Sequence, residues 1–168
     1  HTEWDVGLNP QAIVTSDFNF DNLPDLAVAS ALGGTINIFI GDGNGGLLST
    51  VELSTITSPG TLATGLFNAD LFPDLAVSSS VDGSIYILGG LGDGTFGPLS
   101  TTTVANDIQD ISTGDYNGDG HLDIASASVN GISIRTGDGL GTFSGSDELA
   151  INNAFAVVTG DFNEDSFQ

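Results

Sequence analysis

The chain has 168 residues, and its 22 acidic side chains face a single basic one, Arg135, for a formal charge of -21 with no cysteine. Nucleic acid and anionic membrane surfaces are disfavoured electrostatically, and without thiols there are no disulfides, no thiolate catalysis and no cysteine-based zinc site. Gly is abundant and Val, Ile, Leu, Thr and Ser dominate the remainder, which is the composition of an all-β protein with many tight turns and with cations as its expected partners.

No apolar run approaches the length of a membrane span, so no membrane insertion is expected. The start, His1-Thr2-Glu3-Trp4, lacks a charged region followed by an apolar core and reads as a mature, already processed segment. Residues 1–9 read as one short strand before a turn at Asn9-Pro10. A first full unit follows: a strand Ala12 to Thr15, an acidic loop Asp17 to Asp25, strands Leu26 to Ala29 and Thr35 to Ile40, a glycine turn Gly41 to Gly46, and a strand Leu47 to Ser54. The pattern restarts at Pro59-Gly60, with Thr61 to Gly65, the loop Leu66 to Asp74, Leu75 to Val77, Ser84 to Leu88, the turn Gly90 to Gly94 and Leu99 to Val104. A third pass gives Asp110 to Thr113, the loop Asp115 to Asp123, Ile124 to Ala127, Gly131 to Arg135, the turn Gly137 to Gly141 and a strand around Leu149. A fourth begins at Ala156 to Thr159 and enters its loop at Asp161.

The loops begin at 17, 66, 115 and 161, so the spacings by subtraction are 49, 49 and 46. A period of this length with four strands per unit predicts an all-β fold of β-propeller blades, each made of four antiparallel strands. About three and a half blades are present, so the propeller is partial or assembling. The expected units are 10–57, 58–106, 107–152 and an incomplete 153–168, with 1–9 a strand of a preceding or shared blade. A four-stranded sheet this small cannot bury both faces alone, and stacking of blades explains why Leu26 and Val28 alternate with Ala27 and Ala29.

The loops carry the chemistry. Oxygen side chains at the first, third, fifth and ninth positions, with a backbone carbonyl from the seventh, are what a hard cation such as Ca2+ requires. The first loop offers Asp17, Asn19, Asp21 and Asp25 with the carbonyl of Leu23. The third offers Asp115, Asn117, Asp119 and Asp123 with that of His121, and Gly120 stands at the sixth position where the turn is sharpest. The fourth begins with Asp161, Asn163 and Asp165, with Phe167 at the carbonyl position. In the second, Leu66 replaces the first carboxylate and Leu71 holds the turn position, leaving Asn68, Asp70, Phe72 and Asp74 as a weak or empty site. Crowded carboxylates repel one another, so each loop is expected to be loose without metal. Asp, Asn and Gly are also the ordinary residues of solvated turns; recurrence at one spacing favours metal. An EF-hand is excluded, since the twelfth position from Asp115 is Ser126 rather than Glu and strands flank the loop.

Gly41-Asp42-Gly43-Asn44-Gly45-Gly46 matches a dinucleotide fingerprint formally, but the Thr-, Ser- and Val-rich stretch after it reads as a strand, so a hairpin turn is expected. The imidazole of His121 is expected to face solvent, and Trp4, Phe39, Tyr86 and Phe96 to fill space between blades rather than stack on sugar. Scattered acids such as Glu52, Asp82 and Glu148 form no visible pair with a nucleophile or base, and no enzymatic activity is expected.

Val14-Thr15-Ser16-Asp17-Phe18-Asn19-Phe20-Asp21-Asn22-Leu23-Pro24-Asp25-Leu26-Ala27-Val28, and still more closely Thr113 to Ala125, resembles the FG-GAP (VCBS-type) repeats of integrin α-subunit propellers and bacterial secreted proteins. The resemblance covers essentially the whole chain. It implies a propeller, usually of seven blades, with Ca2+ in the loops between first and second strands. It also implies a secreted or cell-surface location and adhesion to, or recognition of, an extracellular protein or glycan, as in fungal lectins of similar architecture. Self-assembly through the open blade edges into an oligomer or filament is the competing expectation.

Overall fold

The computed structural model describes residues 3–54, 56–104 and 107–162. Twelve strands occur among them: β1 (Pro10–Ser16), β2 (Asp25–Ser30), β3 (Thr35–Gly41), β4 (Leu47–Leu53), β5 (Pro59–Gly65), β6 (Asp74–Ser79), β7 (Ser84–Gly90), β8 (Phe96–Thr103), β9 (Ile108–Gly114), β10 (Asp123–Ser128), β11 (Gly131–Gly137) and β12 (Phe143–Leu149). They form three four-stranded antiparallel meanders, β1-β2-β3-β4, β5-β6-β7-β8 and β9-β10-β11-β12. Each is one blade, and the three make a partial propeller that does not close.

Period-2 alternation gives every blade two usable faces. One core lies between the first two blades, where Ile36, Ile38 and Ile40 of β3 meet Leu62, Leu75, Val77 and Leu88. A second joins Ala76, Ile85 and Ile87 to Ile108, Ile111 and Ile124 of the third blade. Phenylalanines lock both seams edge to face, Phe18 on Phe96 at 5.4 Å and Phe67 on Phe143 at 5.6 Å. Arg135 is buried in the third blade, where its guanidinium pairs with Glu148 at 3.2 Å, donates to Ser133 Oγ at 2.6 Å and reaches the Thr103 carbonyl of the second blade at 3.3 Å. The chain's single cation thus bridges two blades with its donors satisfied.

Two end segments differ from expectation. Residues 3–9 form no strand. They run as a corner against the first blade, with Ala31 N–H donating to the Asn9 carbonyl at 3.0 Å and Trp4 set edge-on to Phe39 at 6.3 Å. Ala156 to Thr159 likewise forms no strand among the described residues. It lies beside β9, but no second strand pairs with it, and a strand is defined by its ladder. Asn9, Ser58, Asp107 and Asn153 each take a left-handed conformation, with φ of 60, 50, 65 and 58°, at the corner that opens each unit.

Candidate metal centre

Each acidic loop joins the first and second strands of its blade. The first and third loops share one turn. Phe20 and Asn22 in the first loop adopt φ of 60 and 67°, and Gly118 and Gly120 in the third adopt 75 and 88°. Asn accepts a left-handed φ readily and Phe does not, so the first loop holds its shape at some strain. The first carboxylate ties this turn together. Asp17 accepts from Asp21 N at 2.9 Å and Asn22 N at 2.7 Å; Asp115 accepts from Gly118 N at 2.8 Å and Gly120 N at 2.9 Å. The third-position amides donate to the fifth-position carboxylates, Asn19 to Asp21 and Asn117 to Asp119, both at 2.8 Å. Those carboxylates in turn accept from Leu23 N and His121 N, again at 2.8 Å.

The second loop departs at both levels. Leu66 brings no carboxylate, and neither Ala69 nor Leu71 is among the left-handed residues. Only the inner hydrogen bonds survive, Asn68 Oδ1 accepting from Asp70 N at 2.7 Å and Asp70 Oδ1 from Phe72 N at 2.9 Å. Without the first Asp to gather the backbone N–H groups, the turn has nothing to close on. Of the fourth loop, Asp161 is described, while Asn163, Asp165 and Phe167 lie outside the described residues.

The ninth position behaves differently from the other three. Asp25, Asp74 and Asp123 are all completely buried. One oxygen of each accepts from its own loop, from Phe18 N at 2.8 Å, Phe67 N at 2.8 Å and Tyr116 N at 2.9 Å. The other accepts from the end of the third strand, from Gly41 N at 2.9 Å, Gly90 N at 3.0 Å and Gly137 N at 2.9 Å. Each carboxylate therefore staples loop to blade, and the second loop keeps its staple although it has lost the first carboxylate. The three glycines belong to the same device. A Cβ there would stand 2.3, 2.2 and 2.2 Å from the carbonyl oxygens of Pro24, Pro73 and Leu122, which only glycine avoids. Sequence reading missed them as partners of the loops. The signal was available in their recurrence 16, 16 and 14 residues after the buried aspartates.

The donor set of the first and third loops suits a hard cation, all oxygen and partly anionic. Its side chains are engaged with backbone N–H groups, and among the described residues no three His, Asp or Glu side chains converge closely enough to hold a metal. Coordination would draw on lone pairs left over from these hydrogen bonds, or on side chains that turn away from them. The His121 imidazole is exposed and lies against Gly139. Gly41 to Gly46 is a hairpin turn closed by Asp42 N donating to Gly46 O at 3.0 Å, and β4 follows it, so the dinucleotide reading fails.

Four turn aspartates are held below the ordinary carboxylate range by hydrogen bonds. The leading cause is Asn44 N–H for Asp42, the Thr95 hydroxyl for Asp93, His121 N–H for Asp119 and Leu140 N–H for Asp138. A lowered folded value contributes stability that is present above the unfolded pKa and lost as pH falls through the folded one. Asp74 has the opposite sign, because burial raises it. Asp82 is lowered as well, its burial outweighed by the Tyr86 hydroxyl that donates to it at 2.6 Å. With five lowered groups against one, thermal melts in chelator are expected to show falling stability as pH drops below about 4. A melting temperature that stays flat or rises there would contradict this balance.

Stacked meanders with a carboxylate staple at each of the three fully described loops define an open, repeat-built β-propeller. The chain belongs to the FG-GAP-like repeat family, whose model matches residues 67–126 and 115–168, together more than half of the sequence. Solved structures of the same fold include an Agrocybe aegerita lectin, described for its specific recognition of non-reducing terminal N-acetylglucosamine. It is 18% identical with a TM-score of 0.56, over 86% of this chain and 38% of the lectin. BBS1N, crystallised in complex with ARL6DN and soaked with lead, is 17% identical with a TM-score of 0.61, over 95% of this chain and 50% of that one. The chain thus spans half or less of the length of these structures. No curated protein matches it.

Proposed function

We propose that the chain is a non-catalytic, Ca2+-stabilised propeller module of a secreted or cell-surface protein, used for adhesion or ligand recognition. The observation that carries this reading is the shared turn of the first and third loops, in which the same oxygen donors recur in the same order on the same backbone. Ca2+ would bring net positive charge to loops whose carboxylates repel one another and so tighten the link between first and second strands. A charge of -21 turns the surface toward cationic or neutral partners and away from nucleic acid.

Calorimetric titration is expected to find one Ca2+ at the first loop and one at the third, with Asp115→Ala removing about one ion. Because Asp115 also caps its turn, the decisive readout is the rise in melting temperature on adding Ca2+, which should shrink in the variant. Unchanged stoichiometry would refute the third-loop assignment. The lectin neighbour supports glycan as the ligand class. Glycoconjugates ending in N-acetylglucosamine, tested with Ca2+ and with chelator, check that form of the reading, and retention only with Ca2+ would join the two.

A further inference from the structure

We propose that the loop end of the second blade, with Phe20 of the first, is a docking surface for an apolar segment of a partner protein flanked by lysine or arginine. This rests on the recognition reading above, and not on its calcium or glycan forms. In each meander the first–second and third–fourth connections lie at the same end, so the acidic loop and the glycine turn of a blade share one surface. On the second blade, leucine holds three positions of that surface. Leu66 stands where the other blades have Asp17 and Asp115, Leu71 where they have Asn22 and Gly120, and Leu91 where they have Asp42 and Asp138. The three are 47, 71 and 58% exposed. Blade stacking does not cover them, since this blade already packs against a neighbour on each side.

These leucines do nothing for the turns they sit in. Asp42 Oδ1 accepts from Asn44 N and Gly46 N, both at 2.8 Å, and Asp138 Oδ1 accepts from Leu140 N at 2.8 Å and Thr142 N at 3.0 Å. Leu91 can accept neither bond, and Asp93 takes over the Thr95 N–H at 3.0 Å. Phe20 is equally unfavourable where it stands. Its counterparts are Ala69 and Gly118, yet a phenylalanine that is 55% exposed holds a left-handed φ there and meets Phe72 edge to face at 5.4 Å. Phe72 in turn lies over Gly92, where a Cβ would stand 2.3 Å from the ring. Phe20, Phe72 and the Leu91 turn thus form one apolar patch across two blades, and strain together with apolar exposure marks a contact surface.

Charge selects the occupant. Asp21 and Asp93 follow Phe20 and Gly92 in the chain, Asp70 accepts from Phe72 N at 2.9 Å, and all three aspartates are exposed. The single cation, Arg135, is buried in the third blade. A second copy at a charge of -21 is repelled, and a bilayer would have to desolvate these carboxylates. Leucine offers a sugar neither a stacking face nor a hydrogen bond. Apolar side chains bordered by cations match both halves of the surface.

The test is fluorescence anisotropy with labelled hexapeptides at about 0.15 M salt, where the screening length is about 8 Å. Alternating Leu-Lys is expected to bind with and without chelator, and alternating Gly-Lys, of equal charge, to bind about tenfold more weakly. Leu71→Asn combined with Leu91→Asn should raise the Kd for Leu-Lys about tenfold, whereas Val81→Asn, at an exposed position on the other end of the same blade, should leave it unchanged. The double variant puts polar side chains where sister loops and turns carry them, so its melting temperature should stay within about 3 °C of the parent. A larger fall would make the leucines structural and overturn the proposal. So would equal affinity of parent and double variant, equal affinity for the two peptides, or no binding of Leu-Lys. Adsorption to phosphatidylcholine vesicles, or self-association, that the double variant abolishes would overturn it in favour of lipid or a second copy. Retention of N-acetylglucosamine conjugates by a chain that does not bind Leu-Lys would overturn it and leave the recognition reading standing.

Discussion

Asp74→Asn is expected to destabilise the chain by about 3–4 kcal/mol in calcium-free solution, although its loop lacks the first carboxylate of a metal site. The carboxylate meets Phe67 N–H and Gly90 N–H with one oxygen each, and the Asn68 amide approaches at 3.4 Å. An amide has a single oxygen. Its NH2 would face one of these buried N–H groups, leaving two donors unsatisfied where no water reaches. At about 2–4 °C per kcal/mol for a chain of this size, the melting temperature should fall by roughly 6–16 °C. Asp25→Asn and Asp123→Asn should cost a similar amount under chelation, because their staples are built alike. If Asp74→Asn proves neutral while the other two destabilise only when Ca2+ is present, the ninth carboxylate acts through metal rather than through the backbone.

Phe67→Ala carries the other large effect, about 3–5 kcal/mol. The ring is buried between the second and third blades and meets Phe143 edge to face. Its carbonyl also accepts from Gly141 N at 2.8 Å, so the seam is held by backbone and side chain together. Stacked repeats gain most of their stability from such nearest-neighbour interfaces. Truncation should therefore loosen the third blade preferentially, and amide exchange in β9 and β10 should quicken more than in β2 and β3. Equal acceleration everywhere would show that the blades unfold as one unit.

How much of this was legible in the sequence can be judged residue by residue. Composition and the 49-residue spacing specified four-stranded blades, and the boundaries of the acidic loops follow from Asp17, Leu66 and Asp115. Leu66 marks the second loop as the odd one in sequence, because a missing carboxylate is visible without coordinates, and its backbone differs from that of the other two as well. The end segments were misread as strands, since Val6 and Val157 alternate like strand residues while a ladder requires a partner elsewhere in the molecule. The role of the ninth aspartate was also hidden. In the sequence Asp25 looks like Asp17, and only folding shows that one is buried on Gly41 N–H while the other gathers the turn.

The sequence by itself therefore determined the repeat, the strand count within each blade and the oxygen side chains that each loop carries, because period and side-chain type are local properties. The tertiary structure alone decided that Asp25, Asp74 and Asp123 are staples with Gly41, Gly90 and Gly137, and which two blades Arg135 joins. Those outcomes depend on which distant backbone groups meet in three dimensions, and spacing along a chain does not specify where its hydrogen-bond donors end.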